Sequence, residues 1–130
     1  MLGGIILKIK INDQEHELHF GLDFIEMLDE DPMFKNENTA VSVGTQLCVG
    51  FLADTRNPKY LVPIIKAAID PDDMHPTDRE IKNWIESQKD ISGVIEAFLM
   101  QLQKLNLFQD MVNWENVIIK NKNALKNFKG

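Results

Sequence analysis

Two histidines three residues apart, His16 and His19, and an acidic run, Asp70, Asp72 and Asp73 with His75, carry the groups that most readily hold a metal. Imidazole nitrogen suits transition metals and carboxylate oxygen suits hard cations. Neither spacing fits. His16 and His19 fall in a segment of alternating apolar and polar residues, and side chains three apart on a strand point to opposite faces. The acidic run lacks the central glycine and distal glutamate of a calcium loop. Bracketed by Pro71 and Pro76, it reads as a connector that supplies acids to a helix start. The one cysteine, Cys48, lies on an apolar stripe with Leu47, Phe51 and Leu52, where it counts as a small core hydrophobe. A nucleophile needs an exposed, electropositive setting and a positioned base. No GxSxG, P-loop or GxGxxG motif occurs. Carboxylates are plentiful, but nothing singles out an acid/base pair. The expectation is a chain with no catalytic residue, no metal and no cofactor.

Composition bounds the remaining classes. The chain has 130 residues, 44% of them hydrophobic and 26% charged, which is enough for one domain with a sizeable core. A formal charge of −6 argues against a nucleic-acid partner, which would require a basic face for phosphates. One cysteine cannot form an internal disulfide framework. No apolar run approaches the roughly 20 residues that span a bilayer, so no membrane partner is expected. Met1–Leu7 is apolar but has no basic flank and no long apolar region, so no signal peptide is read there. The charge is uneven. Residues 111–130 carry Lys120, Lys122, Lys126 and Lys129 against Glu115, a local +3; residues 1–110 hold 10 basic and 19 acidic groups, a local −9. The organisation expected is an acidic domain over 1–110 and a basic tail over 111–130.

The first element is a hairpin. Ile5, Leu7, Ile9 and Ile11 share one strand face, and His16, Leu18 and Phe20 share one face of the next. With Asn12-Asp13 at the centre of a primed turn, Lys10 opposes Glu15, Lys8 opposes Glu17, Leu7 opposes Leu18 and Ile5 opposes Phe20. A slip of one residue would turn the apolar face to water. Helices follow over Gly21–Glu30, then from a Thr39 N-cap over Ala40–Asp54, with Gly44 and Gly50 implying close packing against a neighbour. Leu61, Ile64, Ile65 and Ala68 form the next stripe, with Pro63 in its first turn. Thr77 and Glu80 make a capping box for a helix that runs to about Lys89 and buries Ile81, Trp84 and Ile85. The longest stripe starts at Asp90 or Ser92 and runs through Ile91, Val94, Ile95, Phe98, Leu99, Leu102 and Leu105. The fold class expected is α+β and mostly α: an N-terminal β-hairpin packed against four to five α-helices.

After Leu105 the pattern weakens to Met111, Trp114, Ile118 and Leu125, and asparagines lower helix propensity, so the tail is expected to be frayed or ordered by a partner. Trp84, Phe108, Trp114 and Phe128 exceed what the core stripes need, and aromatic side chains are strong interface anchors; Trp84, Phe108 and Trp114, with Met111 and Ile118 of the tail pattern, are the candidate partner-binding residues. The competing use of Trp84 and Phe108 is to complete the core.

The order of these segments resembles a family of phage tail assembly chaperones from siphophages of Gram-positive bacteria. In that family a hairpin of the type I-N-G-K-x-Y-x-L runs into F-x-x-x-F-x-x-x-L-D. Here the two read INDQEHEL and FGLDFIEMLD, giving Phe20, Phe24, Leu28 and Asp29, with Asp13 in place of the turn glycine. AVSVGTQLCVGFL, NPKYLVPIIKAAI and ISGVIEAFLMQLQK resemble the later helices, and the likeness covers roughly residues 5–110. The resemblance implies a non-enzymatic protein of the host bacterial cytoplasm. It would coat the long helical tape measure protein, help recruit major tail subunits, self-associate, and be absent from the mature virion. A small helical adaptor or inhibitor of a single host protein is the alternative the residues leave open.

Overall fold

The computed structural model describes residues 7–34 and 43–130. Strands β1 (Leu7–Ile11) and β2 (Gln14–Leu18) form an antiparallel pair in the expected register, with Leu7 opposite Leu18, Lys8 opposite Glu17 and Lys10 opposite Glu15. Asn12 and Asp13 both have positive φ, 52° and 65°, as a type I′ turn demands. The Lys8 ammonium leans diagonally to Glu15, 3.9 Å away. Leu7, Ile9, Ile11, His16 and Leu18 are buried, so one face of the hairpin is core. The proposed Ile5–Phe20 pair falls partly outside the described residues.

Six α-helices follow among the described residues: α1 (Leu22–Asp29), α2 (Gly44–Thr55), α3 (Leu61–Ala68), α4 (Asp78–Glu86), α5 (Ile91–Gln103) and the short α6 (Ala124–Asn127). The α+β class holds, with the hairpin against a mostly helical body. The Thr39 cap, and the start of the second helix at Ala40, lie outside the described residues. Where α2 begins to be described, at Gly44, its first amides are met by α1 rather than by a local cap. The Asp29 carboxylate accepts from Thr45 N–H at 2.8 Å, and Thr45 Oγ1 donates to the Ile25 carbonyl at 3.2 Å. A Cβ at Gly44 would sit 2.6 Å from the Leu28 carbonyl oxygen, so the close packing expected of this glycine is real. Around Gly50 there is open space, and no neighbour explains that glycine.

Helix α3 is the centre of the fold. Six of its eight residues are buried, and Pro63 is its third residue, inside the first turn. Its end merges into the sheet: His19 N–H donates to the Ala68 carbonyl at 2.8 Å, and Leu18 bridges to Ile69. Helix α4 opens with the full capping box. Glu80 N–H donates to Thr77 Oγ1 and Thr77 N–H donates to the Glu80 carboxylate. Asn12 at the hairpin tip donates to the same carboxylate, tying the turn to the helix start. Helix α5 is capped by Asp90, whose carboxylate accepts from Gly93 N–H at 3.0 Å.

A chain of ring contacts crosses the core. It runs from Phe108 to Phe24 (5.8 Å), Phe20 (5.1 Å), Phe98 (6.3 Å), Phe128 (6.0 Å) and Trp84 (6.5 Å), mostly edge to face. Residues 111–130, expected to fray, pack back along this chain, with Ile119, Ala124 and Leu125 buried. Propensity misjudged them because their order comes from burial and distant hydrogen bonds rather than from helix formation.

Candidate partner-binding surfaces

The metal candidates first. His16 is buried opposite Ile9, while His19 is exposed with its Nε2 3.8 Å from Glu17, so the two imidazoles face apart as the strand period requires. In the acidic connector, Asp70 organises a turn: its carboxylate accepts from Asp72 N–H at 2.9 Å and its carbonyl from Asp73 N–H at 2.9 Å, with His75 Nε2 3.0 Å from that carbonyl. Among the described residues no three His, Cys, Asp or Glu side chains gather as a metal site. Cys48 is buried, its Sγ 3.5 Å from the Tyr60 carbonyl oxygen. Burial, and secondarily the Asp31 carboxylate, push its thiol well above the ordinary range, so it stays protonated at neutral pH. No helix among the described residues is long and apolar enough to cross a membrane.

Apolar surface is more informative. On α2, Leu47 and Phe51 share the apolar stripe of Cys48 and Leu52, yet they are 36% and 39% exposed. The stripe is broader than one face of a helix can bury: Thr45, Cys48, Val49, Leu52 and Ala53 already fill it, leaving Leu47 and Phe51 on its edge. Phe51 lies 5.5 Å from the ring of Tyr60, which lies 6.3 Å from Phe34. The Lys59 ammonium stands 5.2 Å above Tyr60. These side chains make one aromatic face on the α1–α2–α3 side of the molecule. The surplus of apolar residues in α2 was the signal for it.

The five residues singled out for partner binding separate into three places. Trp84 and Phe108 are buried at opposite ends of the ring chain, the core use weighed for them. Met111 and Trp114 are partly buried in the turns after α5. There Trp114 Nε1 donates to the Phe108 carbonyl at 2.8 Å, and Met111 N–H donates to the same oxygen at 3.3 Å. Ile118 is 70% exposed, and Leu107 in the preceding turn is exposed as well. Only Met111, Trp114 and Ile118 of the five therefore present surface that a partner can reach.

The most tightly organised polar group is Glu96, in the middle of α5 and 2% exposed. Its carboxylate accepts from Lys120 N–H and Asn121 N–H, both at 2.8 Å, and from the Arg56 guanidinium at 3.1 Å. Arg56 also donates to the Ala53 and Ile118 carbonyls. Its backbone, at φ 56°, takes the left-handed form that a non-glycine residue adopts at a cost of about 1 kcal/mol. Burial by itself would raise the Glu96 carboxyl; the two amides and Arg56 together outweigh it and hold the group below the usual carboxylate range. Sequence reading passed over this node. Its signal was a lone carboxylate flanked by Ile95 and Ala97 in the longest apolar stripe.

Neither a curated protein nor a solved structure matches the chain. The family model described as phage tail assembly chaperone protein, TAC, matches residues 8–114, from the first strand to the turn that holds Trp114. The Phe20, Phe24, Leu28 and Asp29 pattern within that span has a structural meaning: three buried side chains, and the carboxylate that receives the second helix. The chain belongs to the phage tail assembly chaperone family.

Proposed function

We propose that the chain binds the tape measure protein during tail morphogenesis, keeps that long client soluble, and helps bring tail tube subunits to it. It does so without catalysis, in the host bacterial cytoplasm, and leaves before the virion matures. The observation that carries this reading is an apolar face on a member of an assembly chaperone family, in which Leu47 and Phe51 are exposed and Phe34 and Tyr60 are half-buried. Contiguous apolar surface on a small domain marks a protein-binding site. The body's negative charge keeps a coat of many copies dispersed, and many weak contacts along one client add up through effective concentration. Met111, Trp114 and Ile118, with Leu107, form a second contact region for client or tube subunit.

Co-expression with the tape measure protein tests the reading. The wild-type chain is expected to move the client into the soluble fraction. The Leu47→Ser/Phe51→Ser double variant is expected to lose most of that effect while keeping its own fold. Ile118→Ser separates the second region from the first. A client that stays as insoluble with the wild-type chain as without it overturns the proposal.

A further inference from the structure

Residues 119–130 behave as a strap whose anchors all lie on the acidic body. The amides of Lys120 and Asn121 end on Glu96 of α5. Ile119, Ala124 and Leu125 are buried, and the Phe128 ring sits against both Phe98 of α5 and Trp84 of α4. The Gly130 carbonyl accepts from Lys10 N–H on the outer edge of β1 at 3.2 Å and from Trp84 Nε1 at 3.3 Å. Gly130 has φ +60°, and a Cβ there would lie 2.3 Å from the Lys8 carbonyl oxygen, so that seat admits glycine alone. By contrast the connector is lightly held. Glu115, Asn116 and Ile118 are exposed, and the connector is held by two hydrogen bonds of a 3-10 turn, Asn116 N–H to the Asn113 carbonyl and Val117 N–H to the Trp114 carbonyl, both at 3.1 Å, and by Arg56 donating to the Ile118 carbonyl.

We infer that this strap also seats in trans, on the β1–α4–α5 groove of a second copy of the chain, so that two copies exchange residues 119–130 reciprocally. Every anchor is a body group that a second copy supplies identically, which makes exchange a low-cost route to association. The exchanged contacts cancel between closed and swapped forms, so the balance is set by the connector and by concentration. The strap holds Lys120, Lys122, Lys126 and Lys129 and no acid, so a released strap is attracted to a body of net negative charge. In the swapped form two connectors run side by side about the two-fold axis, covering the otherwise exposed Ile118 with its mate. The inference is independent of the client, because its test contains none.

The test uses the full chain. Size exclusion with light scattering follows the wild-type protein over a rising concentration series, together with Val117→Pro. Proline at 117 removes the amide that closes the 3-10 turn and disfavours the helical conformation at Asn116, so the closed form loses what the swapped form already lacks. The expected result is a dimer that grows with concentration, and a dimerisation constant about tenfold larger for Val117→Pro. A mixture of isotope-labelled and unlabelled wild-type chain then locates the contact: Trp84–Phe128 ring contacts are expected between chains in the dimer. A wild-type chain that stays monomeric up to millimolar concentration overturns the inference. So does a dimer in which Trp84 and Phe128 meet only within one chain, since association then uses another face. The wild-type measurements decide the matter even if Val117→Pro does not fold.

Discussion

The hairpin and the 119–130 strap both lie against α4, and they are held by opposite means. In β1–β2 every choice is local: alternation picks the buried face, cross-strand pairs pick the register, and Asn12-Asp13 supply the turn. In the strap the local bonds make only short turns, such as Asn123 N–H to the Asn121 side chain and Asn127 N–H to the Asn123 carbonyl, and do not place the segment. Its helix α6 has four residues and no side-chain cap. Its order comes from a glutamate some two dozen positions earlier and from rings on two other helices. A segment of low intrinsic propensity can therefore be as well placed as a hairpin, provided that a distant buried acceptor needs its amides.

The comparison can be broken most severely at Phe98, the ring shared by both regions through Phe20 and Phe128. Phe98→Ala is expected to cost about 4 kcal/mol, read as a lowered denaturation midpoint, with both regions losing amide protection. Glu96→Ala is expected to cost about 3 kcal/mol, because two buried amides and Arg56 lose their acceptor. Hydrogen exchange should show Lys120 and Asn121 unprotected while β1–β2 is unchanged. The same site sets a pH dependence. The folded carboxyl lies below its unfolded value, so its contribution is complete above the ordinary glutamate range and is lost as pH falls through the folded value. Strap protection should therefore fade at acid pH in the wild type, and Glu96→Gln should flatten that dependence. Thr77→Ala removes the α4 cap and is expected to cost about 1 kcal/mol in chemical denaturation, with the strap anchors left intact. The smallest effect is at Asp13, where φ is 65°; Asp13→Gly should stabilise the hairpin by a few tenths of a kcal/mol in the same measurement.

These regions also mark where sequence reading works. The hairpin register, the Thr77–Glu80 box, the Asp90 cap and the Pro63 position were all legible because each depends on residues within a few positions of one another. The cap of α2 was not, since Asp29 reaches it from another helix. The aromatic face was half legible. The apolar surplus in α2 is visible in the sequence, but which edge of a broad stripe stays exposed depends on how α2 lies against α1 and α3. Trp84 and Phe108 showed the converse ambiguity: a large aromatic residue has the same appearance in sequence whether it anchors a partner or fills a core.

By itself the sequence determined an acidic, mostly helical α+β domain with a hairpin at its start, and the family to which it belongs. It did so because periodicity, turn chemistry and capping are short-range. Only the tertiary structure decided that the basic segment is seated rather than loose. The desolvated Glu96 carboxylate must find donors, and the Lys120 and Asn121 amides, remote in sequence, are the ones the fold brings to it.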